Sequence, residues 1–160
     1  MTRPARLLVL AVGNPSRGDD ALGPLLLQRL HDAAVDRDGE VELLTDFQLQ
    51  VEHAADLEGR AAVLFVDAAR PGVVDAAGIV PLDADERVPV ASHALRPQAV
   101  LCVAAQLHGR PPPAWQLAIA GERFGLGEAL SDAARRNLER ALVLALRWLR
   151  EQRLPELRRA

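Results

Sequence analysis

Residues 6–12 read Arg-Leu-Leu-Val-Leu-Ala-Val and stop at Gly13. They lack the polar alternation of a strand with one wet face. So short a run, apolar on both sides, suits a strand buried on both faces. Residues 61–67, Ala-Ala-Val-Leu-Phe-Val-Asp, repeat the pattern. Such strands need cover above and below, and the intervening stretches supply it. Pro24 suits the first turn of a helix, and Leu26, Leu27, Leu30, Ala33 and Ala34 follow at helical spacing. Residues 40–44 read as a second strand, and residues 48–57 as a helix with Leu49, His53 and Leu57 along one stripe. Residues 79–82 read as a short strand free to pair antiparallel. Pro97 opens a helix that Gly109 closes, residues 115–120 form the last strand, and Ser131 can cap a final helix with Leu138, Leu142, Leu146 and Leu149 on one face. Strands alternating with helices predict an α/β fold. The expected form is a three-layer αβα sandwich around a twisted, mainly parallel five-stranded sheet with one short, antiparallel-capable strand. The 160 residues are expected to form one domain, 1–160, with residues 151–160 a frayed tail.

Composition removes several classes of function. All 19 basic residues are arginine, so no Schiff-base or phosphate-loop lysine exists, and tyrosine is absent. A formal charge of −3 argues against nucleic acid as a partner, because that binding needs a basic face. The apolar run at residues 7–12 is too short for a signal core or a membrane span, so no membrane partner is expected. The one cysteine, Cys102, excludes an internal disulfide and a cysteine-built zinc site, and suits a reducing cytoplasm.

Ligand sites in open parallel sheets lie beyond the carboxyl ends of the strands. The loop after the first strand, residues 13–23, reads Gly-Asn-Pro-Ser-Arg-Gly-Asp-Asp-Ala-Leu-Gly. It lacks the dinucleotide fingerprint and has no lysine. Either Asp19 or Asp20 can cap the following helix. Asp67 ends a buried strand, where an unpaired carboxylate is costly. His93 precedes the Pro97 helix, at the same expected edge. Asp20, Asp67 and His93 would together make a mixed oxygen and nitrogen site, suited to zinc, nickel or another divalent ion, with coordination positions open.

These residues stand in motifs. The stretch from residue 9 to 23, Val-Leu-Ala-Val-Gly-Asn-Pro-Ser-Arg-Gly-Asp-Asp-Ala-Leu-Gly, is followed by Leu-Phe-Val-Asp-Ala-Ala at residues 64–69 and Ser-His-Ala-Leu-Arg-Pro at residues 92–97. In order and spacing, and over roughly residues 7–149, the chain resembles the nickel–iron hydrogenase maturation endopeptidases. The resemblance implies a peptidase that removes the C-terminal extension of a hydrogenase large-subunit precursor once nickel has been inserted. It maps the catalytic and metal-contacting residues onto Asp20, Asp67 and His93, and selects Asp20 over Asp19. The nickel it implies is carried by the substrate precursor, with no tightly bound metal in the free enzyme. One departure stands out. Where many members carry Asp-Gly-Gly-Thr after the second strand, this chain has Asp46-Phe47-Gln48-Leu49. That resembles the variant serving cytoplasmic, NAD-reducing hydrogenases, and makes Asp46, Phe47 and Gln48 the substrate-binding candidates. Phe47 can either anchor a partner or pack under the next helix.

Two other classes compete with a peptidase: a non-catalytic chaperone sensing nickel loading, and a small-molecule-binding α/β module. The missing glycine fingerprint and phosphate lysine count against the module. Retention of all three candidate ligands counts against the chaperone.

Overall fold

The structure, a computed structural model, describes residues 3–83 and 95–157. Five strands form one sheet: β1 (Leu7–Val12), β2 (Val41–Asp46), β3 (Ala62–Ala69), β4 (Ala77–Pro81) and β5 (Ala114–Ala120). Their spatial order is β2-β1-β3-β5-β4; all neighbours are parallel except β4, which runs antiparallel to β5. The expected α/β architecture is therefore the observed one. The antiparallel strand is at the edge, where it leaves the parallel core intact.

The burial of β1 explains its unbroken hydrophobicity. All six of its residues are buried, because it lies between β2 and β3 with helices on both faces. Leu7, Val9 and Ala11 point to one side and pack with α1 (Leu22–Asp32) and α4 (Asp132–Leu157). Leu8 and Leu10 point to the other and pack with α2 (His53–Asp56) and α3 (Pro97–His108). Each fully buried leucine contributes about 2 kcal/mol relative to exposure. Because both faces of β1 are apolar and buried, a one-residue slip would exchange one apolar face for the other at little cost in hydrophobicity. Register instead comes from β2 and β3, which pair Leu7 with Val41 and with Ala62.

Helix ends follow local chemistry. Pro97 starts α3, and Gly109 stops it at φ +85°. Ser131 Oγ accepts the Ala134 N–H at 3.1 Å, the capping bond expected of it. Three features differ from expectation. The stretch expected to fray from residue 151 is helical as far as Leu157, the end of α4. The 48–57 helix is a single turn, His53–Asp56; residues 48–50 do not coil, and residues 51–52 form the turn that leads into it. On α4 the most deeply buried positions are the alanines 134, 141 and 145 rather than a leucine stripe, with Leu142 and Leu146 only partly covered. Small residues there let the helix lie close against the sheet. Among the described residues, no helix is long and apolar enough to cross a membrane.

Candidate active site

The chain passes from β1 outward to β2, then back to the other side of β1 for β3. The carboxyl ends of β1 and β3 thus flank the point where strand order reverses, and a crevice opens there. A cleft of about 370 Å³ occupies it, with Asp20, Asp67, Phe47, Arg96 and Gln116 among its lining residues.

Asp20 reaches the cleft from a 3-10 turn over Gly18–Ala21 that follows β1. Its Oδ2 accepts the Asn14 N–H at 2.7 Å. The loop is drawn tight by Gly13, at φ +152°, where an added Cβ would meet the Asp20 carbonyl oxygen at 2.0 Å. A Gly13→Ala variant should lose about 3 kcal/mol of stability, read from its urea midpoint, because neither the backbone angle nor the Asp20 peptide can yield cheaply.

Asp19, the other member of the pair, turns away from the cleft and is 0% exposed. Its Oδ2 accepts the N–H groups of Glu122 at 2.7 Å and Arg123 at 3.0 Å and the Ser131 hydroxyl at 2.6 Å; its Oδ1 accepts the Ser131 N–H at 2.8 Å. Burial alone would raise this carboxyl, but the hydrogen bonds from Glu122, Ser131 and Arg123 outweigh it and hold the group below the ordinary carboxylate range. Neither aspartate caps α1 by a side-chain bond. Asp19 instead clamps the Asp20 turn to the segment joining β5 and α4.

Asp67 lies on β3, beside Ala118 of β5. Burial first, and the Asp20 charge second, push its carboxyl up to about 7; a hydrogen bond with the Ala68 backbone offsets part of this. Two carboxylates in one cleft, one of them raised toward neutrality, form the kind of pair that can divide acid and base roles.

Phe47 and Gln48 line the same cleft. Phe47 is 69% exposed, so of the two readings open for it the structure takes the unburied one. Asp46 is set differently. Its Oδ1 accepts the Phe47 N–H at 2.7 Å, its Oδ2 lies 3.2 Å from His53 Nε2, and it lines a neighbouring depression with Pro15, Pro24 and Thr45. His93 lies outside the described residues; the chain re-enters at Leu95 and Arg96, both on the cleft wall. Among the described residues no three His, Cys, Asp or Glu side chains gather as a metal-binding group. Two polar residues of the cleft wall, Arg96 and Gln116, were not among the sequence candidates, and His53, read as a packing residue, contacts Asp46 behind it. Gln116 carried a signal, as the one polar side chain in the β5 sequence Ala-Trp-Gln-Leu-Ala-Ile-Ala.

No protein-family model matches the chain, and no curated protein matches it by sequence. Solved structures do. The NiFe hydrogenase maturation protease HycI from Thermococcus kodakarensis superposes with a TM-score of 0.69 at 22% identity, over 91% of this chain and 93% of that one. The hydrogenase maturating endopeptidase HybD from E. coli gives 0.70 at 21% identity, over 91% and 93%. A hydrogenase 2 maturation peptidase from a Thaumarchaeota archaeon gives 0.64 at 20% identity, over 90% and 97%. The chain has the fold of these maturation proteases nearly end to end.

Proposed function

We propose that this protein is an endopeptidase that trims the C-terminal extension from a nickel-loaded nickel–iron hydrogenase large-subunit precursor. One observation carries the reading: carboxylates from the β1 loop and from β3, the two strands flanking the switch point, face one cleft. The fold shared with maturation proteases supports it. Hydrolysis of an amide needs a base to take a proton from water and an acid to protonate the leaving nitrogen. Asp67, pushed up to about 7 in the free protein, lies near the point where a carboxyl can either carry a proton to the leaving nitrogen or, once ionised, meet a metal. Asp20 is the second carboxylate of the pair. In this reading Asp20 and Asp67, with His93, meet the nickel that the precursor brings, and Asp46, Phe47 and Gln48 form the wall that meets the precursor's chain. The Asp46-Phe47-Gln48-Leu49 sequence favours a precursor of the NAD-reducing type, and a single cysteine fits work in the cytoplasm.

The test is direct. The protein, incubated with nickel-loaded precursor, should yield a large subunit shortened at its C-terminus by mass spectrometry, and nickel-free precursor should stay whole. Equal cutting of both forms would overturn the nickel requirement; cutting of neither would overturn the processing function.

A further inference from the structure

We propose that His53 is a positioning residue that stakes the cleft-lining segment 47–49 at both ends and so sets how the protein grips its precursor. The inference rests on the processing function, but its first link is a matter of geometry alone. His53 is buried, 6% exposed, on the single helical turn under the loop. Its Nδ1 accepts the backbone N–H of Gln50 at 2.9 Å. An imidazole nitrogen that accepts carries no proton, so in the neutral ring the proton sits on Nε2. That nitrogen faces Asp46 Oδ2 at 3.2 Å. One ring therefore contacts the residue just before the segment and the residue just after it.

The contacts continue outward. Asp46 Oδ1 accepts the Phe47 N–H at 2.7 Å, and the Asp46 carbonyl accepts the Gly13 N–H at 3.0 Å. The His53 ring is thus linked through Asp46 to Gly13, the residue that packs against the Asp20 peptide. Between the two staked ends, Phe47, Gln48 and Leu49 have their side chains along the cleft that holds Asp20 and Asp67. Leu49 packs against the core with Leu8, Leu10 and Ala54, but Phe47 and Gln48 are exposed and have little packing of their own. The course of Phe47 and Gln48 therefore depends on the Leu49 anchor and on the polar contacts at the segment's ends, and His53 supplies one at each end. His53 does not line the cleft, so it acts through the loop rather than on the bond being cut.

The experiment compares wild type with His53→Phe, which fills the space without polar atoms, and His53→Asn, whose Oδ1 can replace the Nδ1 acceptor but cannot reach Asp46. Amide hydrogen exchange reads the loop without any substrate. Exchange at Gln50 should be about tenfold faster in His53→Phe and near wild type in His53→Asn. With nickel-loaded precursor, His53→Phe should raise KM about tenfold while kcat stays within about twofold, the pattern of lost binding rather than lost chemistry. His53→Asn should recover part of that KM. Unchanged exchange in His53→Phe overturns the proposal, and so does a fall in kcat at unchanged KM. A wild-type protein that leaves the precursor whole overturns the processing function instead, while exchange at Gln50 still decides whether His53 holds the loop.

Discussion

An Asp67→Asn variant should stop precursor processing and yet be more stable than wild type above pH 7. Loss of a proton-transferring carboxylate lowers a hydrolytic rate by about 10²–10⁴-fold, so the shortened subunit should be undetectable in an assay of ordinary length. The stability effect has a definite sign. The folded-state value of about 7 lies above the ordinary 3.8, so the native protein keeps this proton after the unfolded chain has lost it. Stability therefore falls as pH rises from about 4 to about 7, then stays level with the native carboxylate ionised against burial and the Asp20 charge. Asparagine removes that penalty. The displacement from 3.8 to about 7 corresponds to a gain of up to about 4 kcal/mol at pH 8, shrinking toward zero by pH 4. Urea midpoints of both proteins across that range are the measurement. Full activity in the variant would exclude Asp67 from the reaction, and a gain independent of pH would exclude its ionisation near neutrality. A residue that costs stability and supports activity is the trade expected of a functional site.

Asp19→Ala should have the opposite character, destabilising by about 4 kcal/mol at pH 7. Truncation leaves the N–H groups of Glu122, Arg123 and Ser131 and the Ser131 hydroxyl without their acceptor. Asp19→Asn should recover little of this, since one amide oxygen must replace two carboxylate oxygens and the amide adds donors where donors already converge. The pH dependence is again signed. The folded carboxyl is held below its ordinary 3.8, so its contribution is present above about pH 4 and is lost as pH falls through the lowered folded value. The gap between wild type and Asp19→Ala should therefore be full at pH 7 and narrow in acid, as read from urea melts at pH 7 and pH 3. A gap that does not narrow would mean that the uncharged acid holds the clamp equally well. Processing should fall as well, because the released turn carries Asp20.

The two aspartates also show where sequence information ends. They are chemically identical neighbours, and either can cap a helix. In a 3-10 turn successive side chains diverge by about 120°, so one must face inward when the other faces the cleft. Which one does so depends on donors at Glu122, Arg123 and Ser131, more than 100 residues away along the chain. No local pattern encodes that meeting, and only the motif resemblance favoured Asp20. His53 is a parallel case. Its spacing from Leu49 and Leu57 reads as a packing stripe, and the ring is indeed buried, but its contacts with Gln50 and Asp46 appear only once the chain turns back over it.

What the sequence determined by itself was the part governed by local rules. The unbroken hydrophobicity of β1 and of the first five residues of β3 reports burial on both faces, and that in turn requires a helix-covered parallel sheet. Pro97 and Gly109 mark the ends of α3 because one lacks an amide hydrogen and the other accepts a positive φ. From such a sheet it also follows that chemistry belongs toward the carboxyl ends of the strands; Asp67, read as the last residue of its strand, stands two residues before the end of β3 and still faces the cleft. Tertiary structure alone decided the order β2-β1-β3-β5-β4, which brings the ends of β1 and β3 together as the crevice. It also decided the split between Asp19 and Asp20, and the uncoiled course of residues 48–50, of which Gln48 and Leu49 line the cleft. Each of these depends on contacts between segments far apart in the chain, whose free energy exists only after the sheet has assembled.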